Sequence, residues 1–316
     1  MLSRTAENLF WIGRFTERAE SMARMLEMGY RMALMPATGA GHRNEWRSIV
    51  AGAGGEAAFS EKHDSINQRI VCEYLIFDPD NPSSIHSCLR NARENGRAVR
   101  AAITSEMWMA LNETWIDLQD MNAAQLAGGG LPTFLDWMKG ASAQFRGATE
   151  SSLLRNEGYD FLRLGSFIER ADNTARLLDV KYYVLLPASE TVGGGVDNYQ
   201  WTTLLRALSS LRAFHHIYRS EYTPWSIADF LILNRHFPRS LLYSYSQIGE
   251  HLTQLSRRYG QRSLSLSATN MQIARLADCT AADIFSEGLH EFLTTFIRQN
   301  AALSDSIAGD YHFGWS

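Results

Sequence analysis

Two small sets of charged residues carry the spacing that chemistry would need: Glu17, Glu20 and Arg24 with Arg18 beside them, and Glu169, Asp172 and Arg176 with Arg170. At about 100° per residue the acids and the later arginine of each set share one helix face. Glu20 and Arg24, like Asp172 and Arg176, are then i,i+4 pairs in the favoured order. Three kinds of chemistry are open to such sets. Ion pairs between them would fix the register of two packed helices, since removing one partner of a buried pair costs about 3–5 kcal/mol. Alternatively, Arg24 and Arg176, with Arg18 and Arg170, would grip a carboxylate or phosphate bidentately while the acids orient them or take an amine. Third, a carboxylate with a raised pKa would act as acid or base.

A metal is disfavoured. Glu17-x-x-Glu20 and Glu169-x-x-Asp172 place carboxylates one turn apart as di-iron bundles do, but the Glu-x-x-His element is missing and the arginines would repel a cation. No cofactor is implied. His215, His216, His236 and His312 have no partner at ligand spacing. Gly52-Ala53-Gly54-Gly55 lacks the Lys-Ser/Thr of a phosphate loop and reads as a linker. Cys72, Cys88 and Cys279 are too few and too far apart for a disulfide framework or a zinc knuckle, so reduced, buried thiols are expected.

The second set exists because the chain writes its opening stretch twice. Gly13-Arg14-Phe15-Thr16-Glu17-Arg18-Ala19-Glu20 runs on to Ala23-Arg24 and Glu27, and Gly165-Ser166-Phe167-Ile168-Glu169-Arg170-Ala171-Asp172 runs on to Ala175-Arg176 and Asp179, at a constant offset. Apolar positions recur by helical habit, whereas matched charges need another cause. The correspondence extends from Trp46 to Trp201 and from Val71–Asp78 to Ile227–Asn234. Each of the latter runs is followed by a proline, Pro82 or Pro238, suited to the first turn of a new helix.

The elements that must position these residues are helical. Ile12, Phe15, Ala19, Met22 and Leu26 recur at spacings of three and four, with Ser3 as the cap and Pro36, Gly39 and Gly41 as the stop. The second copy stops at Pro187. Residues 84–126 read as long helix broken near Thr104, Trp108 and Trp115 lie on one stripe, and Gly128-Gly129-Gly130 breaks the chain before a helix from Pro132 to Ser152. Gly193-Gly194-Gly195 makes another break, Asp197 caps the helix of Trp201, and Thr280 with Asp283 forms a capping box. Tyr311-His312-Phe313-Gly314-Trp315 is an aromatic tail pinned to the body. The expected architecture is all-α: one duplicated helical bundle over 1–316, with half-length repeats of about 1–152 and 153–316 related by a pseudo-two-fold axis.

Composition narrows the partners. With 316 residues, 45% of them hydrophobic, the chain can bury a substantial core. A net charge of −4 gives no footprint for nucleic acid. No stretch reaches the roughly 20 apolar residues of a membrane span, and the opening residues do not resemble a secretory signal, so a cytoplasmic protein is expected. Arginine greatly outnumbers lysine, which suits fixed carboxylate pairing.

Met1-Leu2-Ser3-Arg4, Phe10-Trp11-Ile12-Gly13-Arg14-Phe15, Glu17-Arg18-Ala19-Glu20 and Ile168-Glu169-Arg170-Ala171-Asp172-Asn173, with Phe237-Pro238-Arg239-Ser240, resemble the bacterial alpha-E domain family across essentially the whole chain. The resemblance implies a helical domain of unestablished activity, encoded beside or fused to a circularly permuted ATP-grasp ligase and a transglutaminase-like protein. It therefore implies an accessory or recognition component of peptide or amide biosynthesis, binding an anionic amino-acid-like or peptide group through Glu17, Arg18, Glu20, Arg24, Glu169, Arg170, Asp172 and Arg176. The alternatives are an enzyme using the same residues for acid-base or transfer chemistry, and a purely structural scaffold.

Overall fold

A computed structural model describes residues 1–35, 43–183, 195–219, 222–260 and 263–314. It is all-α, with no strand among the described residues. The first part of the chain forms α1 (Ser3–Met32), α2 (Arg43–Gly52), α3 (Glu56–Lys62), α4 (Gln68–Cys72), α5 (Ile85–Ala98), α6 (Ser105–Gln119), α7 (Gly130–Ser152) and α8 (Glu157–Tyr183). The second forms α9 (Gly195–Ala207), α10 (Leu211–Tyr218), α11 (Pro224–Ala228), α12 (Leu241–Tyr259), α13 (Leu264–Asp278), α14 (Ala281–Glu287) and α15 (Leu289–Asp310). None of these helices is long and apolar enough to cross a membrane.

The two helices that carry the charged sets, α1 and α8, pack on each other at the centre. Helices α5 and α7 flank α1, and α12 and α15 flank α8. In addition α9 lies against α1 and α2 against α8. The consequence for α1 is burial on almost every side: its apolar residues Leu9, Ile12, Met22 and Leu26 are enclosed, but so are Glu17, Glu20, Arg24 and Glu27. An amphipathic pattern ordinarily turns its polar face to water. Here that face meets other charged side chains inside the protein.

The expected breaks between α5 and α6 and before α7 are present, with Thr104 capping α6 and Gly129 in the left-handed region at φ 98° before α7. The Thr280–Asp283 capping box opens α14. Of the aromatic tail, Trp315 lies outside the described residues, and the rest is held, with the Tyr311 ring 4.9 Å from that of Phe161 and the Phe313 ring 5.5 Å from that of Phe10. Cys72 and Cys88 are free and buried, while Cys279 is only half-buried. The stops assigned to Pro36, Gly39, Gly41, Pro187 and Gly193-Gly194 lie outside the described residues.

Three local expectations are corrected. Ser3 is the first residue of α1 and does not cap it; Leu2 holds the cap position and makes no side-chain bond. Asp197 lies within the first turn of α9, where it pairs with Lys181 at 2.8 Å. Pro82 and Pro238 do not open helices but stand two residues before the true caps, Ser84 and Ser240, whose hydroxyls accept the amides of Ser87 and Tyr243. The apolar runs before those prolines end as single π-helical turns, Glu73–Phe77 and Asp229–Leu233. Such turns arise where a helix must accommodate one extra residue, and sequence periodicity does not show them.

Candidate functional site

Helices α1 and α8 approach so closely at one crossing that only glycine fits on either side. A Cβ on Gly13 would stand 2.1 Å from the Leu162 carbonyl oxygen, and one on Gly165 would stand 1.9 Å from that of Phe10. One turn beyond each glycine is a Glu-Arg pair, and the crossing sets the two pairs against each other. Arg170 donates Nε to Glu17 Oε1 at 2.9 Å and Nη2 to Oε2 at 2.7 Å. In the reverse sense Arg18 donates Nε to Glu169 Oε1 at 2.6 Å and Nη2 to Oε2 at 2.8 Å. Both are the two-bond fork that a planar guanidinium makes with a carboxylate, shorter and stronger than a neutral hydrogen bond. Glu17 and Glu169 are 3% and 2% exposed, so neither pair is a surface ornament.

Further arginines close around the acids. Arg14 gives Nε to Glu169 at 2.9 Å and Nη1 to Ser304 of α15 at 2.8 Å. Glu20 is fully buried and receives Arg24 Nη2 at 2.6 Å, Arg239 Nη2 at 2.6 Å, and Arg146 of α7 on its other oxygen. Arg239 also reaches Glu17, at 3.0 Å. The loop carrying Arg239 is stitched shut. Asn234 accepts the amides of His236 and Phe237, the Ser240 hydroxyl donates to the Asn234 carbonyl, and Phe237 stacks on Phe230 with 4.5 Å between rings. The π turn Asp229–Leu233 thus ends in a rigid bend that aims Arg239 inward.

The outer arginines of the two sets behave alike but do not meet. Arg24 donates Nη1 to the Ala207 carbonyl at 2.5 Å and the Ser209 hydroxyl at 2.9 Å, in the turn after α9. Arg176 pairs with Asp172 at 2.6 Å and lies against Gly54 in the turn after α2, with Nη1 3.2 Å from where a Cβ there would sit. The glycine stretch read as a plain linker therefore seats an arginine. Gly54 and Ser209 both have positive φ, 78° and 54°. So Glu17, Glu20, Arg24 and Arg170 belong to one network, joined through Arg239, and Arg18 and Glu169 to a second, with Arg14, on the same pair of helices. Asp172 and Arg176 form a neighbouring, more exposed pair, with Asp172 near enough to act on the charge of Arg18.

Burial alone would raise the pKa of Glu17, Glu20 and Glu169, yet all three are lowered. For Glu17 the opposing charges are chiefly Arg170 and Arg239, and for Glu20 chiefly Arg239, with Glu17 resisting. Arg18 and Arg14 bring Glu169 down from 4.5 to about 2. Arg239 is itself pushed down, to about 10, by burial and by Arg24 beside it. These depressed carboxyls stabilise the fold fully above their unfolded pKa and less as pH falls toward their folded values. The unfolding free energy should therefore fall between about pH 4.5 and pH 2, in part through these three residues. Urea midpoints at pH 6, 4 and 3 check this. The drop should shrink in Glu169→Gln, and an equal drop in that variant would contradict the assignment.

Chemically, Glu17 and Glu169 have both oxygens taken by guanidiniums and pKa values driven down. Each has no proton to donate near neutrality and is a weak base. Among the described residues no group of three or more His, Cys, Asp or Glu is placed to hold a metal. What the assembly offers is positive charge. Six guanidiniums, from Arg14, Arg18, Arg24, Arg146, Arg170 and Arg239, face three carboxylates, from Glu17, Glu20 and Glu169.

Arg14, Arg146 and Arg239 were not among the candidates from sequence. Two of them stand where the copies differ, Arg14 opposite Ser166 and Arg239 opposite Ser83, so a search by repetition passes over them. Arg146 has no motif; only packing of α7 on α1 brings it to Glu20. Compared with known proteins, residues 1–312 match the Alpha-E family, described as a predicted alpha-helical domain with a conserved ER motif. The chain has two Glu-Arg pairs, Glu17-Arg18 and Glu169-Arg170. No curated protein and no solved structure matches it.

Proposed function

The chain belongs to the Alpha-E family, and from that premise we propose that it is a cytoplasmic accessory component of an ATP-grasp-linked peptide or amide biosynthesis system. It binds an anionic amino-acid-like or peptide group through its Glu/Arg clusters. The observation that carries the reading is that six guanidiniums, four of them partly open to solvent, gather on three buried carboxylates. An anionic group would meet that charge at Arg146, the most open arginine of the assembly, and, as a separate contact, at Arg176 of the neighbouring Asp172 pair. The partners are a circularly permuted ATP-grasp ligase and a transglutaminase-like protein, in keeping with the family resemblance of the sequence.

The architecture proposed with this is a single domain made of two repeats, about 1–152 and 153–316, joined about a pseudo-two-fold axis. In support, Glu17 pairs with Arg170 as Glu169 does with Arg18, Gly13 presses on α8 as Gly165 does on α1, and Arg24 and Arg176 each dock on a turn of the other half. The reciprocal pairs then act as the clasp between halves. Their depth inside the protein favours a second reading, a structural scaffold with no small-molecule site.

Co-expression with a circularly permuted ATP-grasp ligase separates these. Arg176→Gln, whose side chain is 29% exposed, should leave the melting temperature within a few degrees of the parent, and Arg146→Gln, which leaves the buried Glu20 to Arg24 and Arg239, should lower it further while keeping the fold. They should nevertheless abolish co-purification with the ligase or formation of its product. Lost stability with normal ligase output would favour the scaffold. Turnover by the isolated chain that disappears in Glu17→Gln would replace both readings with an enzyme.

A further inference from the structure

Helix α6 packs chiefly on α5 and α7 and turns its remaining side to water. Two large apolar side chains stand on that side, Met109 at 54% exposure and Ile116 at 51%. Seven residues apart, they share one stripe of the helix, and Asn112 falls between them at spacings of three and four. That is the seam of a helix that meets another helix. Single exposed apolar residues need no explanation. Here the flanks of the stripe supply one.

The flank toward α5 is positive. It carries Trp108 and Trp115, and α5 covers both: Arg93 and Arg100 lie over the Trp108 ring at 5.8 and 5.7 Å, and the His86 ring is 5.1 Å from that of Trp115. Arg93 also donates Nε to Asn112 at 2.9 Å, which brings its charge to the edge of the stripe. Arg90 and Arg97 continue the line along α5, at spacings of three and four from Arg93. The pKa of His86 is lowered, by burial first and then by Arg90, so the charge of this flank is arginine's. The opposite flank of α6 is negative, with Glu106, Glu113 and Asp120 exposed at intervals of seven. Among the described residues, none of these four arginines and none of these three acids is in an ion pair, nor is the exposed Glu94 on the outer edge of α5.

Unpaired arginines on one side of an apolar stripe and unpaired acids on the other make a surface complementary to itself. A two-fold axis can lay α6 on a second copy in two ways. With the axis across α6 the helices run antiparallel, and arginines meet arginines. With the axis along α6 they run parallel, and the arginine flank of each copy meets the acid flank of the other. We propose that the chain forms a two-fold dimer through α6, its two α6 helices parallel, with Met109 and Ile116 packed on their own copies and Arg93 and Arg100 set against the partner's Glu113. Flanking charges pair across the seam in this way in parallel coiled coils, where they set partner and orientation. Trp115, with His86 and Arg90 behind it, then faces the partner's Asp120. A single-stranded nucleic acid fits less well: the acids repel it, and the Trp108 ring it would stack on already carries two guanidiniums. Helix α6 has only 15 residues, about two heptads, so the dimer is weak and depends on concentration.

Sedimentation velocity of the intact chain, from about 1 to about 200 µM and in low salt and about 0.5 M sodium chloride, tests it. A monomer–dimer equilibrium is expected, weakened several-fold by the salt. Ile116→Lys sets like charges on the axis and should raise Kd roughly tenfold or more. Its dilute monomer should melt near the parent temperature, because the residue is half-exposed. Glu113→Arg and Arg100→Glu each place like charges together twice in a symmetric dimer and should each weaken association several-fold. An equimolar mixture of those two variants should associate more tightly than either alone, since one contact of the mixed dimer is the original and the other its reverse. A chain that stays monomeric at the highest concentration overturns the proposal, as does a dimer indifferent to Ile116→Lys. A mixture no tighter than its components overturns the parallel arrangement and the proposal with it. A monomer that instead holds a polyglutamate peptide, and loses it in Arg97→Gln, would give this face to an acidic partner and overturn the dimer too.

Discussion

Glu17→Ala should lower the stability of the fold by about 3–5 kcal/mol, the range for leaving a buried charge without its partner. The substitution strips Arg170 of both its carboxylate bonds and Arg239 of one. Arg170 is 7% exposed and cannot swing out to water without opening the α1–α8 interface. Glu20 cannot take over, because it is already shared among Arg24, Arg146 and Arg239. Urea denaturation of the single variants and of Glu17→Ala/Arg170→Ala together measures the coupling. The double variant should lose much less than the sum of its parents, since removing both charges removes the penalty that each single variant exposes. A Glu17→Ala loss under about 1 kcal/mol, typical of an exposed pair, would mean that water reaches this carboxylate and that the clasp is not buried in solution.

That prediction depends on a feature the sequence carries only in part. Repetition of Glu-Arg at matched positions made it legible that Glu17, Arg18, Glu169 and Arg170 belong together, because a charge has no reason to recur by helical period alone. Their surroundings were not legible in the same way. A helix with acids and arginines on one face reads as half-exposed, and nothing local in α1 says that α5, α7, α8 and α9 enclose it. Burial is decided by residues far along the chain, so the depressed carboxyl pKa values and the excess of guanidinium come only with the tertiary structure.

The same division runs through the smaller features. Helix breaks marked by Thr104, Gly129 and Thr280 are local events of capping and φ, and the sequence displays them. Pro238 misled, because its ring is as compatible with the extended segment before a Ser cap as with a first helical turn; the Ser240 cap and the π turn before it decide the outcome. Arg239 illustrates the cost. It sits in a loop, matched in sequence by Ser83 in the stretch around Pro82, and its guanidinium still bridges Glu17 and Glu20. Where the two matched stretches of sequence differ, Arg14 against Ser166 and Arg239 against Ser83, the structure finds extra positive charge.

Gly165→Ala should be the most disruptive single-methyl change in α8, and its sign separates packing from propensity. Alanine is the better helix former by about 1 kcal/mol, so an isolated helix would gain. Here the new Cβ would meet the Phe10 carbonyl oxygen at 1.9 Å, against helix backbone that has no rotamer to change. The helices must separate or slide, and the expected loss is about 3 kcal/mol or more, the upper range for overpacking. Gly13→Ala should do the same from the other side, where the obstacle is the Leu162 carbonyl at 2.1 Å. Because Glu17 and Glu169 lie one turn beyond these glycines, separation also stretches both reciprocal forks, so the loss should be partly shared with Glu17→Ala when the substitutions are combined. Gly140→Ala and Gly147→Ala in α7 supply the control. A Cβ at either meets nothing within 4 Å, and each should gain roughly 0.5–1 kcal/mol. Melting temperatures of the four variants give the comparison. If Gly13→Ala and Gly165→Ala melt at or above the parent while the α7 pair behaves as expected, the two central helices do not cross backbone to backbone. The clasp between the Glu-Arg pairs would then need a different geometry.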